Sequence, residues 1–187
     1  MFRDGPLSRR PREEIRYGTG KSAVGPVLVA SSDKGIVTIM VREKQAQLIR
    51  EVEARFPRAD LIRDEKGCAP TVARVVRYIA APFGRFSLPL DFRGTDLQQR
   101  VWNEVRKIPF GQTSTYSKIA EAIGAPKAIR AVANSCSRSW LAFAVPCHRV
   151  LHKGGASSVN RRDGRQYRWV DYEGRLDARR RRRSVTL

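Results

Sequence analysis

The hydrophobic pattern of this 187-residue chain changes period once, near Asp91, and that single change restricts it to two differently built units. Before it, β-branched runs over 24–30 and 36–41 flank Ser32-Asp33-Lys34-Gly35, the composition of a hairpin. Residues 44–56 follow, with Leu48, Ile49, Val52 and Phe56 on one helical face. A turn-rich stretch over 57–70 leads to a second amphipathic segment marked by Val72, Val75, Val76 and Ile79, and 86–92 alternates as a strand does. Together these predict a small α/β scaffold over 22–92. Residues 1–21, rich in Arg, Pro and Gly, read as a leader or linker.

After Asp91 the pattern is helical. Thr95 followed by Gln98 fits a capping box, and Leu97, Val101, Val105 and Ile108 line one face of the helix it opens. Pro109 and Gly111 end that helix. Thr115 can cap a short helix over 116–122; Gly124-Ala125-Pro126 then turns the chain, and Pro126 can open another helix reaching Cys136. Helix, glycine-containing turn and helix form a helix-turn-helix pattern, and Lys127 and Arg130 on its second helix favour DNA contact. This unit spans 93–178, and 179–187 forms a basic tail.

The charge points the same way. With 37 Lys and Arg against 18 Asp and Glu the formal net charge is +19, which favours a polyanionic partner through counterion release. No stretch approaches the roughly 20 apolar residues that span a bilayer, so no membrane role is expected. The charged N-terminus lacks a signal-peptide pattern. Cys68, Cys136 and Cys147 make an odd number without disulfide-framework spacing, consistent with a reducing, cytoplasmic setting.

The chemistry concentrates in Pro146-Cys147-His148-Arg149-Val150, where an apolar run ends at a proline followed by a thiol and an imidazole. A free thiol is only a few per cent ionised at neutral pH, so useful reactivity needs a base or a positive neighbour. His148 and Arg149 can supply both. A core cysteine beside an incidental histidine is the plain alternative. A zinc site from Cys147, His148 and His152 lacks a fourth ligand, and a cysteine peptidase lacks an assignable Asn or Asp partner. No metal and no organic cofactor are expected.

That five-residue segment resembles the active-site motif of the O6-alkylguanine-DNA alkyltransferases, or methylated-DNA–protein-cysteine methyltransferases. The resemblance extends through Asp91-Phe92-Arg93-Gly94-Thr95, Ile108-Pro109-Phe110-Gly111-Gln112-Thr113 and Gly124-Ala125-Pro126-Lys127-Ala128-Ile129-Arg130-Ala131-Val132, and covers about 22–150, most like the repair domain of Ada-type members. It implies the alkyltransferase fold: a ribonuclease-H-like α/β N-terminal unit and a mainly α C-terminal unit with a helix-turn-helix. It further implies a monomeric DNA-repair protein that flips O6-alkylguanine, with O4-alkylthymine a second candidate, from double-stranded DNA and transfers the alkyl group irreversibly to Cys147. His148 would be the base that deprotonates Cys147 through a water, and Tyr116 would help rotate the nucleotide and donate near the leaving purine. Arg130 would fill the space the base leaves. Thr115, Lys127, Ala131 and Arg149 would contact DNA, and Trp102, Val150, Tyr167 and Arg168 would line the substrate pocket.

The chain departs from the family after Val150. Tyr167-Arg168-Trp169 matches a family loop but sits several residues late, behind an apparent insertion over 157–166. Glu173 and Asp177 are acids beyond it, neither at the spacing of the glutamate that orients the histidine; Glu173 is the candidate taken forward. Ser139 stands where the family often has an asparagine that braces the active-site turn, and Trp140 beside it is unexpected. An unoriented histidine would be a weaker base. The alternative is therefore a lesion- or promoter-binding protein of alkyltransferase shape with weak or no transfer.

Overall fold

The stretch expected to be a leader supplies an inner strand of the main sheet. A computed structural model describes residues 12–152 and 172–176, in which β1 (Glu14–Ser22), β2 (Gly25–Ser32), β3 (Gly35–Val41) and β4 (Asp60–Arg63) form one sheet of order β3-β2-β1-β4. β1 is antiparallel to β2 and parallel to β4, and β2 is antiparallel to β3. β1 escapes a pattern search because its glycines serve packing. A Cβ on Gly18 would lie 2.7 Å from Cys68 Cβ, and one on Gly20 2.7 Å from Val72 Cγ1, so only glycine lets helix α2 (Glu65–Ala80) settle this close.

The sheet has a helix on each face. Leu48 and Val52 of α1 (Gln45–Arg55), with Phe56 just beyond it, pack on Ile15, Tyr17, Leu28, Val37 and Met40. Cys68, Val72, Val75 and Ile79 of α2 pack on Val27, Val29, Ile39 and Val41. This second core runs without a break into the C-terminal unit through Val101, Trp102, Val132, Leu141 and Cys147, so the two units share one interior.

In the C-terminal unit α3 (Asp96–Val105) begins with the capping box foreseen at Thr95 and Gln98. Strand β5 (Ser114–Thr115) leads into α4 (Tyr116–Ala122), capped by Thr115 Oγ1 accepting from the Lys118 N–H. Gly124 turns the chain at φ +71°. A helix starting at Pro126 was expected; α5 (Ile129–Ser137) begins three residues later, because the Ala128 N–H is spent closing a turn on the Ala125 carbonyl.

The predicted strand over 86–92 is not a regular strand. Instead the Ile36 N–H donates to Pro89 O at 3.0 Å and the Asp91 N–H to Ile36 O at 2.9 Å, a single bridge on the outer edge of β3. Farther along the same edge the Ile39 N–H donates to Trp140 O and the Ala142 N–H to Ile39 O, while buried Thr38 adds its Oγ1–H to Trp140 O. The exposed edge of the scaffold is thereby covered by the segment that leads into the cysteine motif.

Candidate active site

Three consecutive tight turns carry the chain from Leu141 to Arg149. The Val145 N–H donates to Leu141 O at 2.9 Å, and the Ala144 N–H to Ala142 O at 2.7 Å across Phe143, which sits at φ +64°. A non-glycine residue in the left-handed region costs about 1–3 kcal/mol and persists only where its surroundings hold it. Here burial of the Phe143 ring in the shared core does so. Pro146, at φ −78° and ψ 62°, makes an inverse γ-turn closed by the Cys147 N–H on Val145 O at 2.8 Å. The 3₁₀ turn Cys147–Arg149 follows, and β6 (Val150–Leu151) then pairs in parallel with β5. That pairing sets Ser114 opposite Val150 and Thr115 opposite Leu151, which brings the start of α4 to the end of the cysteine motif.

The side chains of this turn are interior. Cys147 is 4% exposed, His148 3% and Arg149 5%. A hydrogen bond with the Cys136 thiol of α5 and burial both push the Cys147 thiol well above its ordinary value, opposed by the Ser139 hydroxyl. The resting thiol is thus protonated, and it would need a base before it could act as a nucleophile.

The neighbouring imidazole meets a residue far along the chain. His148 Nε2 lies 3.0 Å from Oε1 of Glu173, which is 8% exposed and belongs to a helical segment over 172–176. Arg149 grips the same carboxylate with two bonds, Nε to Oε2 at 2.9 Å and Nη2 to Oε1 at 2.8 Å. Its Nη1 donates to the Ile108 carbonyl at 2.8 Å. Burial alone would push the Glu173 carboxyl up, but the His148 and Arg149 contacts outweigh it and bring it down to about 2.

Residues 15–92 match the family pattern described as 6-O-methylguanine DNA methyltransferase, ribonuclease-like domain, and residues 96–175 match its DNA binding domain. The inducible methylated-DNA–protein-cysteine methyltransferase of Bacillus subtilis (strain 168) is 35% identical over 129 residues, covering 68% of this chain and 72% of that protein. This chain belongs to the methylated-DNA–protein-cysteine methyltransferase family. The bifunctional transcriptional activator/DNA repair enzyme Ada of Escherichia coli (strain K12) is 39% identical over 83% of this chain, which spans only 42% of Ada's length. Among solved structures, Mycobacterium tuberculosis OGT in complex with DNA aligns with a TM-score of 0.66 and 31% identity, covering 84% of this chain and 92% of that one.

Against the family pattern, the structure redistributes several expected roles. Arg149, expected at the DNA surface, is buried and held by Glu173 and Ile108, so it is not presented to a phosphate at the surface. Trp102, expected in the substrate pocket, is a core residue: its indole N–H donates to Ser135 O at 2.8 Å and its ring packs on Phe92. The small cleft it edges, with Arg55, Phe56, Arg93 and Trp140, does not include Cys147. Val150 is fully buried beside β5. Tyr116 is buried at the first position of α4, its ring 4.9 Å from that of His152. Lys127 and Arg130 are exposed and Ala131 half-buried, while half-buried Thr115 spends its hydroxyl on the cap and on Ser117. Tyr167, Arg168 and the basic tail lie outside the described residues.

The two residues unusual for this family also find places. Ser139 Oγ accepts from the Leu141 N–H at 3.4 Å and bonds the Cys147 thiol, bracing the turn where an asparagine often stands. The Trp140 ring takes the Arg55 guanidinium at 3.9 Å from its centroid, filling the junction between the units. Sequence spacing missed the Cys136–Cys147 contact and the interior position of Arg149; the apolar run before Pro146 was the signal available for both.

The depressed Glu173 value fixes a direction for acid stability. Its ionised form is favoured in the fold, so its contribution is complete above the ordinary value of 4.5 and is lost as pH falls towards about 2. Urea unfolding at pH 5 and at pH 2 should show about 3 kcal/mol less stability from this group at the lower pH. In Glu173→Gln that share of the acid sensitivity should vanish; an unchanged pH dependence would refute the assignment.

Proposed function

We propose that this chain repairs O6-alkylated guanine in duplex DNA by transferring the alkyl group irreversibly to Cys147. The observation that carries this is the Glu173–His148 pair beside a buried thiol on a constrained turn, in a chain of this family. His148 takes the thiol proton, by way of a water, and Glu173 stabilises the resulting imidazolium. The thiolate then attacks the alkyl carbon in line with the departing oxygen. The sulfur–carbon bond forms as the carbon–oxygen bond breaks, and the proton returns to the purine, giving guanine and a stable thioether. Nothing regenerates the thiol, so each molecule reacts once.

DNA is met through α4, the Gly124 turn and α5, acting as a helix-turn-helix. No side chain caps α5, and its first turn carries exposed Arg130 beside Lys127. A stacked base is unreachable by a buried thiol, so the nucleotide must be rotated out. Arg130 fills the gap it leaves, and Tyr116 supports the rotation. Ada and the Mycobacterium tuberculosis protein, the one named as a DNA repair enzyme and the other solved with DNA, support the same partner.

The direct test is incubation with an O6-methylguanine duplex followed by intact-mass and peptide-mass measurement. One methyl group on Cys147 is the expected result. Unmodified protein that still binds the duplex would overturn transfer and leave lesion binding. Arg130→Ala should slow repair of the duplex about tenfold or more, yet change reaction with free O6-benzylguanine less than about twofold, because only the duplex demands flipping. Equal losses on both substrates would rule out the gap-filling role.

A further inference from the structure

We propose that Arg149 is a positioning residue for the transfer step: it fixes the Glu173 carboxylate in the orientation that presents Oε1 to His148. The inference rests on the repair function proposed above and concerns how the same site is held together. Glu173 arrives from a segment 24 positions beyond Arg149 in the chain, so sequence-local geometry does not place it. The guanidinium does. Its planar fork engages both carboxylate oxygens, Nε on Oε2 at 2.9 Å and Nη2 on Oε1 at 2.8 Å, which sets the plane of the carboxylate as well as its position. Oε1 keeps room for His148 Nε2 at 3.0 Å.

The remaining arm of the fork reaches a different part of the fold. Arg149 Nη1 holds the Ile108 carbonyl at 2.8 Å, just beyond the end of α3, and the Phe110 ring faces the guanidinium with its centroid 5.8 Å from Cζ. One side chain therefore ties the cysteine turn, the exit of α3 and the 172–176 segment to a common point. At 5% exposure it is a buried cation whose charge is met by the Glu173 carboxylate, so an arginine expected at the surface acts inside the protein. A lysine would keep the charge but offer a single point of donation, leaving the carboxylate free to rotate away from His148.

Because each molecule reacts once, one experiment separates positioning from folding. In a single-turnover time course with O6-methylguanine duplex, the final extent counts folded, competent molecules, and the rate constant reports the site in each of them. Arg149→Lys should react to nearly the wild-type extent with a rate constant lower by about tenfold or more, given how far bidentate geometry exceeds point contact. Arg149→Gln, assayed identically, is the second variant should the lysine fold poorly; its reacting fraction should be equally slow. In a double-mutant cycle, Arg149→Lys combined with Glu173→Gln should react no more than about twofold slower than Glu173→Gln alone, since Arg149 acts through that carboxylate. Reduced extents at the wild-type rate would overturn the proposal, as would rate losses that multiply in the double variant. A wild-type chain that takes up no methyl group would overturn the repair function itself; a reactive wild type beside equally fast Arg149 variants would overturn this inference alone.

Discussion

Cys147→Ala should bind O6-methylguanine duplex like the unmodified protein and transfer nothing. The loss is complete, not graded, because the sulfur is the group that forms the new bond, and no other described side chain in the site can replace it. Cys136 is the nearest thiol, but it is 1% exposed on α5, behind Cys147 and outside the motif turn. Cys147→Ser should fail equally, since a buried hydroxyl is far harder to ionise than a thiol. Removing one sulfur from a packed site costs on the order of 1 kcal/mol, too little to unfold the chain. The measurements are an intact mass after prolonged incubation and a duplex titration by fluorescence anisotropy. Any methyl transfer by Cys147→Ala would show that another residue is the acceptor.

Glu173→Ala should be the most damaging single change to the fold and should also slow transfer. It leaves Arg149 buried with its charge uncompensated and strips His148 of the carboxylate at 3.0 Å. Breaking a buried pair by removing one partner costs about 3–5 kcal/mol, a large part of the roughly 5–15 kcal/mol that stabilises a domain. The surviving folded molecules should react at least tenfold more slowly, since an imidazole without its orienting carboxylate is a poor base. Chemical unfolding gives the first quantity and single-turnover kinetics the second. The double change Glu173→Ala with Arg149→Met should recover much of the stability, because no lone charge remains, and none of the rate. Recovery of both would show that the carboxylate has only a structural role.

Those two residues differ in how visible they are in the chain. Pro146-Cys147-His148-Arg149 announces itself, because a thiol beside an imidazole at the end of an apolar run is a local pattern and its order in the sequence is its order in space. The capping box at Thr95 and Gln98, the Thr115 cap and the Gly124 turn are legible for the same reason: each is a contact between residues three or four apart. The hairpin of β2 and β3 and the faces of α1 and α2 follow from periodicity.

The sequence by itself thus determined the two-unit plan, most of its helices, the cysteine turn and the exposed Lys127 and Arg130. Tertiary structure alone decided three things. β1 became an inner strand although its glycines look like linker, because their missing side chains matter only once α2 lies on them. Arg149 went inside although its charge suggests the surface, because a buried carboxylate and the Ile108 carbonyl were there to receive it. Glu173 became the partner of His148 despite its spacing, since a distance of 3.0 Å between residues 25 positions apart depends on how the whole chain packs. Local patterns record the energetics of neighbours in sequence, and the chemistry of this site is settled by groups that become neighbours only on folding.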